Sequence, residues 1–170
     1  MNFRFRIREV TKDAHLQLEG HHLMRSYSNG LEYEIALNLM YSFWSAATPK
    51  TQKLPSKFHS FLTDYRFALL TDCRKLNLNL PPTSKQNIYE EEALFYTLIG
   101  SSHGARVIRS RLKNKELPKE HLNILSEDGA LLWPQMISTL NNVDPFRESE
   151  ILNSGLKVFK DLYGTLENST

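Results

Sequence analysis

Gly100-Ser101-Ser102-His103-Gly104-Ala105 interrupts the pattern of a long amphipathic helix in the second half of this 170-residue chain. Glycine at an interior helical position costs about 1 kcal/mol relative to alanine. Gly100 and Gly104 fall on the same helical face because they lie four residues apart. That face is a strip of backbone without side chains. A helix tolerates such a strip where it bends, or where a flat group or another helix approaches its backbone closely.

Composition restricts the class of protein. The length fits one domain over residues 1–170, with enough chain to bury a hydrophobic core. Hydrophobic residues make up 41% of the chain and charged residues 24%, while the net charge of +2 is too small to indicate binding to nucleic acid. Cys73 is the single cysteine, which excludes a disulfide framework and a site of several cysteines. No apolar run approaches a membrane span or a signal peptide, so we expect a cytoplasmic protein without a membrane partner.

Helical spacing of apolar residues through most of the chain predicts an all-α fold of six or seven helices. The alternation of apolar and basic residues over 3–8, taken alone, favours a strand, and the spacing favours a helix from about Ile7. Further helices are expected, in chain order, over residues 31–44, 58–76, 84–113, 122–140 and from 144 onward.

Turn and capping residues supply the expected boundaries. Ser84 can cap the helix that carries the two glycines, and Asp144 before a proline can start the last helix. We expect the helix over 122–140 to break near residues 126–129 and to be perturbed by Pro134. No convincing strand is predicted.

His15 lies on the first predicted helix. A lone histidine on such a face is more often a core or surface residue than a metal ligand. A histidine-bearing helix that faces a glycine-stripped helix can, however, hold a planar iron cofactor between the two. The alternative for Gly100 and Gly104 is a tight crossing of two helices. His21 and His22 follow a helix end and are expected to be solvated.

Four segments resemble the heme oxygenase family, in particular its short bacterial members. Residues 8–19 are similar to the family's first helix, in which His15 falls on the proximal ligand of the heme iron. Residues 96–108 are similar to the distal helix, which typically reads Tyr-x-x-x-Gly-Ser-x-x-Gly-Gly-x-x-Ile. Residues 133–136 and 155–159 resemble two later helices. The four segments occur in the family's order across almost the whole chain.

The resemblance implies a single-domain helical bundle with a kinked distal helix. It also implies a heme oxygenase, which uses molecular oxygen and a reductant to cleave heme b to biliverdin, carbon monoxide and ferrous iron. Heme would be both cofactor and substrate. Electrons would come from an external donor such as a ferredoxin, a flavoprotein reductase or ascorbate.

The resemblance also implies the site. His15 would be the iron ligand, with Glu19 or ordered water on its second ring nitrogen. Gly100 and Gly104 would bring the distal backbone close to the ring, and Ser101 would join a network that supplies protons. These three residues are the expected catalytic positions.

Other residues are expected to bind the cofactor. Arg8 and Lys12 on the first helix can meet the heme carboxylates, for which charge-assisted contacts give orientation as well as affinity. Tyr96, one turn before the first glycine, would place its hydroxyl near the heme edge. Phe159 belongs to the final helix of the resemblance and would pack against the ring.

His103 departs from the family, which usually has leucine at this position. If its imidazole reaches the iron, oxygen is excluded, and the chain is a heme-binding or interaction protein that has lost turnover. If it points away, the oxygenase interpretation stands. A third class, a thiamine-degrading enzyme on a similar helical scaffold, needs a nucleophilic cysteine with carboxylates, and Cys73 has no such cluster in the sequence. The basic run over residues 106–115 is either a solvated face or a docking patch for an acidic electron donor.

Overall fold

The computed structural model describes residues 2–82 and 85–168. Helices account for most of these residues, which confirms the all-α prediction. The helices are, in chain order, α1 (Phe3–Gly20), α2 (His22–Ser28), α3 (Tyr33–Ala46), α4 (Ser56–Lys75), α5 (Glu91–Gly100), α6 (Ser102–Arg111), α7 (Glu120–Asn141) and α8 (Glu148–Glu167). Buried side chains from all of these helices form one contiguous hydrophobic cluster.

The first helix begins four residues earlier than the spacing predicted. Asn2 caps it, because its side-chain oxygen accepts a hydrogen bond from the backbone N–H of Arg4 at 3.0 Å. Phe3 is buried on the same face as Ile7, so the apolar stripe of α1 starts at its first residue. The strand-like alternation over residues 3–8 is therefore overridden by a cap and by packing.

Two short strands were not predicted. β1 (Ala47–Pro49) pairs in parallel with β2 (Asn87–Tyr89), with Thr48 opposite Ile88. Three residues are too few for an alternating pattern to be visible in the sequence. The pair joins the end of α3 to the start of α5, and the backbone N–H of Lys50 extends it by a bond to the carbonyl of Tyr89 at 2.8 Å.

The helix with the glycine pair is divided in two at Ser101. The Ser101 hydroxyl donates to the carbonyl of Thr97 at 2.7 Å, and the Ser101 N–H turns to the carbonyl of Leu98 at 3.2 Å. Serine bonds of this kind compete with the helix ladder and bend it. This helical segment begins at Glu91 rather than at residue 84, and the predicted cap at Ser84 lies outside the described residues.

The expected break in the helix over 122–140 is absent. α7 runs without interruption from Glu120 to Asn141, through Pro134. Gly129 has a packing role in this helix: a Cβ at this position would lie 3.4 Å from the Cβ of Ser102, so the glycine permits a close crossing of α6 and α7. Asp144 acts as a cap, as predicted, but the element that it caps is a single 3-10 turn over Pro145–Arg147. This turn leads directly into α8.

Four helices, α1, α5, α7 and α8, surround the candidate functional site. α1 and α5 both pack against α7 and α8. Gly155 on α8 allows a close crossing with α1, since a Cβ there would lie 3.4 Å from the methyl carbon of Thr11. Among the described residues, none of the helices is long and apolar enough to cross a membrane.

Candidate functional site

A cavity of about 460 Å³ lies between α1 and α5, and side chains of α7 and α8 complete its wall. Among the residues predicted for the site, seven line this cavity: Arg8, Lys12, His15, Tyr96, Gly100, Ser101 and Phe159. The fold therefore brings the histidine of α1 and the first glycine of α5 to one cavity, although they are 85 residues apart in the sequence.

His15 is half-exposed, with 51% of its side chain accessible. Its Nε2 atom lies 3.3 Å from Oε1 of Glu19, one helical turn away. The imidazole also meets the buried ring of Phe159 edge to face, with ring centroids 5.4 Å apart. These two contacts restrict the orientation of the ring, and the Nδ1 atom is the one that does not face Glu19.

Three cations stand on one side of the cavity. Arg4, Arg8 and Lys12 are spaced four residues apart on α1, so they form a ladder along one face of that helix. Glu9 is the only acidic residue in the lining. The excess of positive charge favours a ligand with carboxylate groups, which arginine can bind in a bidentate manner.

Tyr96 faces this cationic ladder. Burial raises the pKa of its phenol, while Thr11 and the guanidinium groups of Arg8 and Arg4 partly offset that effect. The phenol is therefore neutral at physiological pH and can donate a hydrogen bond. Tyr96 lines the cavity together with Arg4, Arg8 and Thr11, so a phenol donor accompanies the cations there.

Gly100 does not present bare backbone to the whole cavity. A Cβ at Gly100 would lie 3.5 Å from Cζ3 of Trp133, so the indole of α7 covers part of the glycine's face. Both residues line the cavity. The indole of Trp133 therefore lies against part of the surface that Gly100 would otherwise expose to the cavity.

Two predicted residues lie elsewhere. His103 and Gly104 are exposed on α6 and are not among the residues that line the cavity. A Cβ on Gly104 would meet no atom within 4 Å. The interruption at Ser101 separates this turn of α6 from the wall that α5 forms.

The prediction that His21 is solvated is wrong. Its side chain is 2% exposed, its Nε2 atom lies 2.8 Å from Oε1 of Glu167, and its Nδ1 accepts from the backbone N–H of Leu23 at 3.1 Å. His21 therefore caps α2 and joins it to the end of α8. His22 is exposed, as expected.

Sequence reasoning missed several residues of the lining. Arg4 and Phe5 were outside the predicted first helix, although their spacing from Arg8 gave a signal once the helix is extended. Thr11 was assigned only to the core face. Trp133 was noted for the resemblance alone, and its position against Gly100 depends on a contact between distant segments.

A chain of buried polar groups lies in the core, away from the cavity. Asp72 Oδ2 accepts from the Nδ1–H of His121 at 2.6 Å, and His121 Nε2 lies 2.6 Å from the hydroxyl of Tyr27. Because the carboxylate can only accept, the ring donates from Nδ1 and accepts at Nε2 from the phenol. Burial raises the pKa of Tyr27 well above its usual value, which keeps the phenol a donor.

A second cluster surrounds the acidic start of α5. Glu91 is 1% exposed and accepts four hydrogen bonds, from the Thr51 hydroxyl, the Lys53 and Leu54 backbone and the His59 ring. All are between 2.7 and 3.0 Å. These bonds make Glu91 a structural anchor.

Cys73 is fully buried on α4. Burial raises the pKa of its thiol to about 11, and the nearby Asp72 carboxylate adds to the effect. A thiol in this environment stays protonated at neutral pH, which opposes a role as a nucleophile.

Within residues 2–82 and 85–168, no three His, Cys, Asp or Glu side chains come together as a metal-binding group. A heme iron needs only one such ligand from the protein, with the porphyrin supplying the others. No model of a known protein family matches the chain, no curated protein matches it, and no solved structure matches its fold.

Proposed function

We propose that this protein is a heme oxygenase, an enzyme that cleaves heme b to biliverdin, carbon monoxide and ferrous iron in the cavity between α1 and α5. One observation carries the proposal: a single cavity is lined by His15, by the cationic ladder of Arg4, Arg8 and Lys12, and by the glycine end of α5. The proposal includes a heme-oxygenase-like bundle in which the interruption at Ser101 is the kink of the distal helix.

The chemistry of the lining fits the parts of heme. Phe159, Trp133 and Tyr96 supply aromatic surface for a flat macrocycle, and the arginines supply partners for its two carboxylates. His15 would supply an imidazole ligand, which suits oxygen chemistry better than a thiolate that favours O–O cleavage. The described lining holds no buried carboxylate aimed at the centre of the cavity.

In this proposal, the protein's own residues bind and orient. Bound heme would supply the iron that activates oxygen and the ring carbon that is oxidised. Glu19 holds the ring of His15 in place. Tyr96 would donate a hydrogen bond to the ligand, and Ser101, whose hydroxyl donates to the carbonyl of Thr97, would join the network that supplies protons through the lone pairs of its oxygen.

The proposal also covers partners and compartment. Reduction requires an external electron donor, such as a ferredoxin, a flavoprotein reductase or ascorbate. A single thiol that is buried and protonated suits a reducing cytoplasm.

A hemin titration of the wild type beside His15→Ala tests binding. We expect the wild type to give a Soret band with a ferric–imidazole signature and His15→Ala to lose that signature. His22→Ala is the matched control, because His22 is an exposed histidine that does not line the cavity. Binding by His15→Ala with an unchanged spectrum would exclude His15 as the ligand.

Turnover is tested separately, by adding ascorbate and oxygen to the hemin complex and following bile-pigment absorption. We expect pigment to form as the Soret band decays. Hemin binding without any pigment would contradict the oxygenase proposal and leave a heme-binding protein. The position of His103 removes the original reason for favouring that alternative, since this exposed side chain does not line the cavity.

A further inference from the structure

Trp133 is in an unusual position on α7. The residues one turn on either side of it, Gly129 and Met136, are buried in the contacts of α7 with its neighbours. Trp133 shares their face, yet it remains partly exposed and lines the cavity. Its exposure therefore comes from the cavity.

The indole is fixed from two sides. Its Cζ3 and Cη2 atoms lie 3.5 and 3.8 Å from the position that a Cβ on Gly100 would occupy. Its ring centroid lies 6.1 Å from that of Tyr96, with 37° between the planes. A Cβ at position 100 would be in ordinary van der Waals contact with the indole, so the ring lies directly against the end of α5.

This arrangement assigns a role to Trp133, and the assignment rests on the function proposed above. We propose that Trp133 is a positioning and specificity-determining residue: its indole, seated on Gly100, is the flat wall against which the macrocycle packs. The sequence alone predicted that the backbone of Gly100 would meet the ring directly. The structure puts an aromatic face at that place instead.

The wall acts on the organic ring and not on the metal. An aromatic face recognises a flat conjugated surface through dispersion and burial, whether or not iron is present. The cavity should therefore bind protoporphyrin IX, which lacks iron, through Trp133 and the cationic ladder. His15 contributes only when iron is bound.

The test titrates hemin and protoporphyrin IX into the wild type, Trp133→Ala and Trp133→Phe. We expect Trp133→Ala to weaken both ligands by about tenfold, which corresponds to about 1.4 kcal/mol. Phenylalanine keeps a flat ring, so it should restore affinity to within about threefold. Leu131→Ala is the matched control, since Leu131 is on the same helix, is 80% exposed and does not line the cavity.

A second readout distinguishes an effect of Trp133 on the orientation of the porphyrin from an effect on the packing of α7. Circular dichroism in the Soret region reports how the porphyrin is held by asymmetric surroundings. We expect this signal to shrink in Trp133→Ala and to persist in Leu131→Ala, while the ferric–imidazole absorption from His15 stays unchanged in both. If Trp133→Ala loses its helical signal, Trp133→Leu takes its place, and the same loss of affinity is expected because leucine lacks a flat face.

The outcomes are distinct. Wild-type affinity and Soret dichroism in Trp133→Ala and Trp133→Leu would overturn the role of Trp133 and leave the oxygenase proposal standing. Failure of the wild type to bind either porphyrin would overturn the proposed function, and this inference with it. Loss of affinity for both porphyrins in the folded variants, with rescue by phenylalanine, supports the inference even if no bile pigment forms.

Discussion

His15 meets Phe159 edge to face, with ring centroids 5.4 Å apart, and this contact ties the candidate ligand of α1 to the buried surface of α8. On its other side, Nε2 of His15 lies 3.3 Å from Glu19. A half-exposed histidine is thus oriented by one aromatic ring and one carboxylate.

The carboxylate contact gives the first prediction. Glu19→Gln removes the charge that strengthens the imidazole as a donor, so hemin affinity should fall by roughly tenfold. Titration followed at the Soret band measures the effect. Glu9→Gln is a useful comparison, because Glu9 lines the same cavity without contacting His15. Equal effects of the two substitutions would argue for general electrostatics over a specific contact.

The cationic ladder gives the second prediction. Arg4→Gln and Arg8→Gln should each weaken hemin by roughly three- to tenfold, because each removes a charge-assisted contact with a ligand carboxylate. The loss should diminish at high salt, where the wild type also binds more weakly. Arg25→Gln, at an exposed position on α2 outside the cavity, is the control. A loss of the same size in the control would contradict a carboxylate site.

The third prediction concerns the second glycine of the pair. Gly104→Ala places a methyl group in open space inside α6, so it should stabilise the protein by about 0.5–1 kcal/mol and leave hemin affinity unchanged. Chemical denaturation and a hemin titration measure the two effects. A large loss of hemin affinity would restore Gly104 to the site that the sequence predicted.

Gly30→Ala is the matched contrast for that substitution. Gly30 has a φ of +73°, and a Cβ there would lie 2.8 Å from Cδ of Lys115. Alanine at this position should destabilise the protein. A gain in stability for Gly104→Ala and a loss for Gly30→Ala would confirm that the local backbone conformation and the free space around each glycine decide the effect on stability.

The fourth prediction concerns the polar chain in the core. Tyr27→Phe removes the donor to Nε2 of His121 and leaves that buried acceptor unpaired, which should cost about 1–3 kcal/mol in the free energy of unfolding. Urea denaturation measures the loss. Tyr41→Phe, at a partly exposed position, should change stability much less. Similar losses in both variants would contradict a special role for the buried chain.

The fifth prediction is a pH dependence. The pKa of Cys73 is about 11 in the folded protein, against an ordinary value of 9.0. Between these values the folded state holds a proton that the unfolded state has lost. The stabilisation is therefore complete below pH 9 and is lost as pH rises through about 11.

Denaturation curves at pH 8 and pH 11 measure this loss. The wild type should lose roughly 2 kcal/mol more between these pH values than Cys73→Ala does. The buried tyrosines are present in both proteins, so the comparison removes their contributions apart from the coupling of Tyr33 to Cys73. Parallel pH profiles would show that the thiol titrates normally.

Local sequence patterns predicted the helical fold and some of the helix boundaries. Helical spacing predicted the all-α fold, and Asp144 marked a cap. Arg4 was missed because a cap at Asn2, rather than the apolar spacing, decides where α1 begins.

Other features depend on residues far apart in the chain, which no local pattern shows. His21 is buried because the end of α8 lies against it, and Glu91 is buried because the loop before α4 folds over it. Trp133 is part of the site because the packing of α7 against α5 brings its indole next to Gly100. Pro134 did not break α7, since packing of that helix outweighs the lost backbone bond.

The buried carboxylate at the start of α5 has a mechanical consequence. Glu91 ties this end of the helix to the loop at residues 51–54 and to His59, whereas the other end passes into the interrupted backbone at Ser101. If a ligand enters the cavity, we expect the wall to adjust at the turn after Gly100, because the hydrogen bonds of Glu91 hold the start of α5 in place.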